Sequence, residues 1–119
     1  MDRKLNVWIH CRITNVSEKY LLNYQKNTLL EMAKHSNLNV VGISKEISKG
    51  TNPNSRELTA IKTSARRKEI DAVLVYDKTR LLIFNDMYMD FKMYCEMFDT
   101  MIISLQEIEQ SFLDCIKML

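Results

Sequence analysis

Hydrophobic residues along the chain follow two patterns, short runs typical of strands and longer stretches with helical spacing. Runs rich in β-branched and aromatic residues predict strands at residues 5–11, 40–44, 72–76 and 100–105. Apolar residues three and four positions apart predict helices at residues 17–35, 55–68, 85–98 and 107–119. A stretch of Ser, Gly, Thr, Asn and the only Pro predicts the longest loop, at residues 44–55. Strands and helices therefore alternate along the chain.

This alternation predicts an α/β fold with a mainly parallel four-stranded sheet and helices on both faces. The continuous apolar run at residues 72–76 is typical of a strand that is buried on both faces of such a sheet. A length of 119 residues fits one domain, and we expect that domain to span residues 1–119. In open parallel sheets the functional groups lie at the carboxyl ends of the strands.

Composition excludes several classes of function. Two Gly residues exclude the glycine-rich loops that bind nucleotides, and three Cys without paired spacing predict neither a disulfide framework nor a metal site. No cofactor is predicted. The sequence contains no run of about 20 apolar residues and no signal peptide, so we expect a cytoplasmic protein without membrane contact. The net charge is only +2, so binding to nucleic acid would need a local basic cluster.

Candidate chemistry lies where the predicted strands end. Arg12 and Thr14 follow the first strand, Glu46 and Ser48 follow the second, and Arg80 follows the third. A single arginine at such a place is most simply a surface residue, and Thr14 is equally a turn hydroxyl or a nucleophile. Several arginines at one sheet edge favour phosphate binding, because the planar guanidinium matches phosphate oxygens.

The order of the motifs along the chain supports phosphate binding at this edge of the sheet. The segments, in chain order, are Ile9-His10-Cys11-Arg12-Ile13-Thr14, then Gln25, then Glu46-Ile47-Ser48-Lys49-Gly50 with Arg56 following, and finally Asp71-Ala72-Val73-Leu74-Val75 leading to Arg80-Leu81. Together they resemble the catalytic domain of the serine recombinases, the resolvase and invertase family, over roughly residues 5–107. The resemblance implies that a hydroxyl attacks a DNA phosphodiester, forms a covalent link to DNA and supports strand exchange without a metal.

The resemblance also implies roles for individual residues. Arg12, Arg56 and Arg80 match the arginines that bind the DNA phosphate and support catalysis. Glu46 and Ser48 match the acidic and hydroxyl positions of the loop, in a register that Lys49 makes ambiguous. His10 and Cys11, beside the first motif, are interpreted as packing residues rather than as a base and a reactive thiol.

Three departures from the family pattern predict impaired or absent strand exchange. Thr14 stands at the nucleophile position, where its methyl group crowds an in-line attack. Thr79 and Ile83 stand where the family has an acid and a final arginine, so two charged groups are missing. The alternative is a catalytically silent interaction module that pairs with an intact recombinase or another protein through its final helix.

Partners follow from the same resemblance. Family members continue into a long dimerising helix and a DNA-binding region, which we do not expect in residues 1–119. Contact with DNA is therefore expected to be weak or indirect, and a homo-oligomer is possible through the apolar stripe of the final helix.

Overall fold

The computed structural model describes residues 4–108. The elements, in chain order, are β1 (Asn6–Ile13), α1 (Lys19–His35), β2 (Asn39–Ile47), α2 (Arg56–Arg66), β3 (Ala72–Val75), α3 (Asn85–Met97) and β4 (Met101–Ser104). Single turns of 3-10 helix precede α1 at Val16–Glu18 and follow β3 at Lys78–Arg80. A further helix begins at residue 105, and residues 109–119 of the predicted helix at 107–119 lie outside the described residues.

The four strands form one parallel sheet in the order β2-β1-β3-β4. The predicted fold class, with helices on both faces of a parallel sheet, is therefore confirmed. Because every strand runs in the same direction, β1, β2 and β3 all end at one edge of the sheet. We call this the carboxyl edge.

A separate apolar cluster covers each face of the sheet. On one face, Leu22, Leu29 and Ala33 of α1 pack against side chains of β1 that include Ile9 and Cys11. On the other face, residues of α2 and α3 pack against β3. Spacing of three and four residues places these side chains on one side of each helix, which is why the sequence pattern located them.

Aromatic residues of the strands and helices differ in burial. Phe91 is buried in the core, whereas Trp8, Tyr76 and Phe98 are only half-buried. Trp8 lies against the edge of the cluster formed by α2 and α3.

The second strand is longer than predicted and extends to Ile47. Its last residues pair with the end of β1, where Arg12 lies opposite Glu46 and Ile13 lies opposite Ile47. The predicted loop at residues 44–55 therefore starts only at Ser48. The apolar pattern did not predict this extension, because the residues at the end of β2 are mostly polar. Their side chains contact other polar groups rather than an apolar core.

Candidate functional site

Arg12 is the central residue of the carboxyl edge, because β1 lies between β2 and β3. Its side chain is only 2% exposed. The guanidinium donates from Nη1 to the carbonyl oxygen of Ser48 at 2.7 Å and from Nη2 to the carbonyl oxygen of Thr79 at 2.7 Å. Arg12 thus joins the loop after β2 to the turn after β3.

Gly50 packs directly against this guanidinium. A Cβ atom on Gly50 would lie 2.7 Å from Cζ of Arg12, closer than non-bonded carbon atoms approach. Gly50 also has a φ angle of +73°, in the left-handed region that favours glycine. Both the close approach and the backbone conformation therefore require glycine at this position.

Gln25 fixes the backbone of Arg12 from the α1 side. The buried Gln25 amide donates from Nε2 to the carbonyl oxygen of Arg12 at 3.0 Å and accepts from its backbone N–H at 3.2 Å. The motif resemblance assigned Gln25 no individual role. The helical spacing could have indicated a role, because it places Gln25 between Leu22 and Leu29 on the buried face of α1. A buried amide side chain needs hydrogen-bond partners inside the protein.

Thr14 and Arg80 supply the accessible groups of the edge. Thr14 is exposed, and its Oγ1 lies 3.4 Å from Nη1 of Arg12, which donates to it. Arg80 donates from Nη1 to the carbonyl oxygen of Arg12 at 3.2 Å, and its side chain is 28% exposed. The Arg80 Nε atom lies 3.5 Å from Oδ2 of Asp77, which forms an ion pair with it.

Burial and the neighbouring charge of Arg80 both act on the Arg12 guanidinium. Burial lowers the pKa of Arg12 below its ordinary value, and the positive charge of Arg80 lowers it further. The carboxylates of Glu46 and Asp77 oppose this effect. Arg12 remains charged near neutral pH, since an arginine side chain does not lose its proton in proteins.

Glu46 organises the loop that follows β2. The Ser48 hydroxyl donates to Oε2 of the buried Glu46 carboxylate, and the Ser55 hydroxyl donates to Oε1 at 3.1 Å. Ser55 also caps α2 by accepting from the backbone N–H of Leu58 at 3.2 Å. Glu46 and Ser48 therefore lie in direct contact beside Arg12.

His10, two residues before Arg12 in β1, is fully buried. Its Nδ1 atom is 2.6 Å from the Ser44 hydroxyl oxygen, which also accepts from Nε1 of Trp8 at 3.0 Å. Burial, and then the nearby charge of Arg12, lower the pKa of His10 to about 4. The imidazole is therefore neutral near pH 7, and its Nε2 faces Oε1 of Glu46 at 3.8 Å.

The remaining predicted positions lie at the rim of the edge. Arg56 is the exposed first residue of α2, directly after Ser55. Thr79 is exposed, and its hydroxyl donates to Oδ1 of Asp77. Ile83 is also exposed. The structure thus brings Arg12, Thr14, Glu46, Ser48 and Arg80 together, and Arg56 directly follows Ser55, whose hydroxyl donates to Glu46.

Between residues 4 and 108, no group of three or more His, Cys, Asp or Glu side chains is placed to hold a metal ion. Over the same residues, no helix is long and apolar enough to cross a membrane.

Fold and site together define an α/β domain with an arginine-rich carboxyl edge, which suits the binding of an anionic phosphate group. The family model described as Resolvase, N terminal domain matches residues 7–114. The chain therefore belongs to the resolvase family, and the resemblance found in its motifs is confirmed.

Solved structures with a similar fold are catalytic domains of serine recombinases. The C-terminal catalytic domain of ISC1926 TnpA, an IS607-like serine recombinase, has a TM-score of 0.80 at 22% identity, covering 94% of this chain and 80% of that one. The N-terminal catalytic domain of TP901-1 integrase has a TM-score of 0.71 at 21% identity, covering 86% and 78%.

A resolvase family site-specific recombinase from Streptococcus pneumoniae has a TM-score of 0.72 at 19% identity, with coverage of 87% and 74%. The TM-scores show a shared fold, and at these low identities they show the fold alone. No match was found among curated proteins.

Proposed function

We propose that this domain binds a DNA phosphodiester at its carboxyl edge, with Thr14 in the position of the attacking hydroxyl, and that its strand cleavage is impaired. The observation that carries the proposal is the contact between Thr14 and Arg12, which places an exposed hydroxyl beside a buried positive charge. Arg80 adds a second, partly exposed guanidinium next to the same backbone.

The three arginines would have different roles at a bound phosphate. The Arg12 donors already reach two main-chain carbonyl oxygens, so this residue supplies mainly charge and rigidity. Arg80 and Arg56 are more exposed, and they are the residues that would contact phosphate oxygens. The Arg12 and Arg80 charges are held in place before DNA binds, because both guanidinium groups donate to main-chain carbonyl oxygens.

Impaired cleavage follows from the groups around Thr14. Its hydrogen-bond partner is a guanidinium, which cannot accept the proton that a nucleophile must lose. The Thr79 hydroxyl, at the position of the family acid, donates to Asp77. Ile83 replaces a phosphate-binding arginine by an apolar side chain, which removes one stabilising charge.

Pairing with a protein is the second candidate function. One observation favours it, since Met89, Met93 and Met97 form an exposed stripe at four-residue spacing along α3. Flexible apolar surfaces of this kind are frequent at protein interfaces. In this candidate, Arg80 contributes nothing to DNA binding, and the methionine stripe contacts the partner.

Salt-dependent DNA binding distinguishes the two candidates. We would compare the unchanged protein with the Arg80→Ala variant, and use Arg66→Ala as the control, because Arg66 is exposed at the far end of α2. We expect Arg80→Ala to weaken binding of a short duplex and to reduce the salt slope by about 1, the value for one lost phosphate contact. Equal effects of the two substitutions would contradict the proposed function.

A further inference from the structure

We infer that Ile83 and Phe84 form an apolar contact for a DNA base next to the bound phosphate. This inference rests on the proposed function and extends the proposed contact from the DNA phosphates to a DNA base. The two residues lie in the segment between the turn that carries Arg80 and the start of α3. No role in the binding of phosphate accounts for them.

Exposure separates these two residues from their neighbours. Leu81 and Leu82 are buried in the core, whereas Ile83 is 45% exposed and Phe84 is 51% exposed. Burial of Leu81 and Leu82 anchors the segment to the core, so Ile83 and Phe84 have a defined position at the surface. Two adjacent large apolar groups at a surface lose contact with water when a partner covers them.

The backbone holds this pair against the site. The Ile83 N–H donates to the carbonyl oxygen of Gly50 at 2.9 Å, and Gly50 packs on the Arg12 guanidinium. The carbonyl oxygen of Phe84 accepts from the N–H of Tyr88 at 3.0 Å in the first turn of α3. A segment fixed at both ends loses little conformational entropy when a ligand binds.

Charge around the pair favours nucleic acid over protein as the partner. Lys49, next to Gly50 in the chain, and Lys78, in the turn before Leu81, are both exposed, and Arg80 is partly exposed. The carboxylates of the same segments are Asp77, which is paired with Arg80, and Asp86, which is exposed in the first turn of α3. Aromatic and apolar side chains among cations are the combination that stacks on bases or inserts between them while the cations hold the backbone.

The test separates base contact from phosphate contact by changing the ligand. Binding is measured to a short single-stranded oligonucleotide and to a chain of equal length made of abasic units, which keeps the phosphates and lacks the bases. We expect Phe84→Ala to weaken binding of the normal oligonucleotide about tenfold, the effect of losing one stacked base, and to leave the abasic ligand unaffected. Phe84→Trp should retain binding, because indole also stacks.

Two further variants complete the design. Met97→Ala removes an exposed apolar side chain at the other end of α3 and should change neither affinity. Arg80→Ala should weaken both ligands, because both retain phosphates. Circular dichroism at the temperature of the binding assay checks that each variant is folded.

The outcomes keep the two proposals apart. If Arg80→Ala weakens binding and Phe84→Ala does not, the base contact is refuted and the phosphate site stands. If Phe84→Ala weakens both ligands equally, the residue only supports the fold of the edge, which also overturns the inference. If neither substitution matters, both proposals fail. If Phe84→Ala alters self-association instead of DNA affinity, the surface contacts protein and the inference is wrong.

Discussion

Arg12 donates from Nη2 to the carbonyl oxygen of Thr79 at 2.7 Å, although the two residues are 67 positions apart in the chain. Arg80, the next residue after Thr79, donates back to the carbonyl oxygen of Arg12 at 3.2 Å. These reciprocal bonds tie the end of β1 to the turn after β3. The arginine of the first motif therefore builds the carboxyl edge, and Arg80 is the more accessible guanidinium of the two.

Removing the Arg12 side chain should destabilise the protein. In Arg12→Ala, the carbonyl oxygens of Ser48 and Thr79 lose their charged donor in a buried place, which should lower the free energy of unfolding by about 3 kcal/mol. Urea unfolding measures the change. Arg66→Ala, an exposed control, should change it by less than about 0.5 kcal/mol. A similarly small change in Arg12→Ala would contradict the bracing role of Arg12.

A methyl group at Gly50 should disturb the same place. Gly50→Ala adds a Cβ that lies 2.7 Å from Cζ of Arg12 and imposes a left-handed backbone on alanine. We expect a loss of about 2 kcal/mol in unfolding free energy, with about 1 kcal/mol from the backbone alone. The neighbouring Lys49→Ala should be nearly neutral because Lys49 is exposed. Equal stability of the two variants would show that the guanidinium moves aside without cost.

Stability should depend on the protonation of His10. Its pKa in the folded protein is about 4, below the ordinary 6.5, so between these values the unfolded chain binds more protons than the folded one. The contribution of neutral His10 is complete above pH 6.5 and declines as the pH falls towards 4, by on the order of 3 kcal/mol.

His10→Gln should remove this dependence. Unfolding free energies of the unchanged protein and the variant are measured at pH 7 and pH 4.5. The difference in unfolding free energy between the two proteins should be smaller at pH 4.5 than at pH 7. His35→Gln is the control, because the His35 side chain is exposed. Parallel pH profiles for the unchanged protein and His10→Gln would show that His10 is already protonated or is not buried.

Restoring the family residues should restore cleavage. The triple variant Thr14→Ser, Thr79→Asp and Ile83→Arg supplies a primary hydroxyl, an acid and a further exposed guanidinium at the carboxyl edge. We expect it to form at least about ten times more covalent protein–DNA adduct than the unchanged protein, because the added guanidinium stabilises the negative charge of the transition state and the added acid can transfer a proton. Denaturing gel electrophoresis with labelled DNA detects the adduct.

The matched control has Ala at position 14 with the other two substitutions retained, and it should form no adduct. Absence of adduct from the triple variant would show that the loss of activity involves more than these three positions. Adduct from the control would show that another hydroxyl attacks.

The sequence predicted the fold well and the site only in outline. Apolar spacing located the strands and helices because burial of one helix face and of the inner strands determines the pattern. The same principle failed at the end of β2, where Glu46 and Ser48 continue or follow a strand through polar contacts. Spacing carries no information about such contacts.

Details of the site depend on the tertiary structure. The burial of Arg12 against Gly50 and its bonds to two distant carbonyl oxygens arise from three separate chain segments. No local pattern distinguishes an arginine that braces loops from one that contacts DNA. The motif order predicted a site at the carboxyl edge of the sheet, and the tertiary structure shows that Arg12 is buried there whereas Arg80 is partly exposed.

Nuclear magnetic resonance titration tests the phosphate site most directly. A short DNA duplex is added to the isotope-labelled protein, and chemical-shift changes are followed for the backbone and for the Arg Nε–H groups. Binding at the carboxyl edge predicts that the largest changes occur at Thr14, Gly50 and Arg80 and that they weaken as salt rises. Changes centred on the basic run at residues 66–68, at the opposite end of α2, with none at Thr14 or Arg80, would contradict a phosphate site at the carboxyl edge.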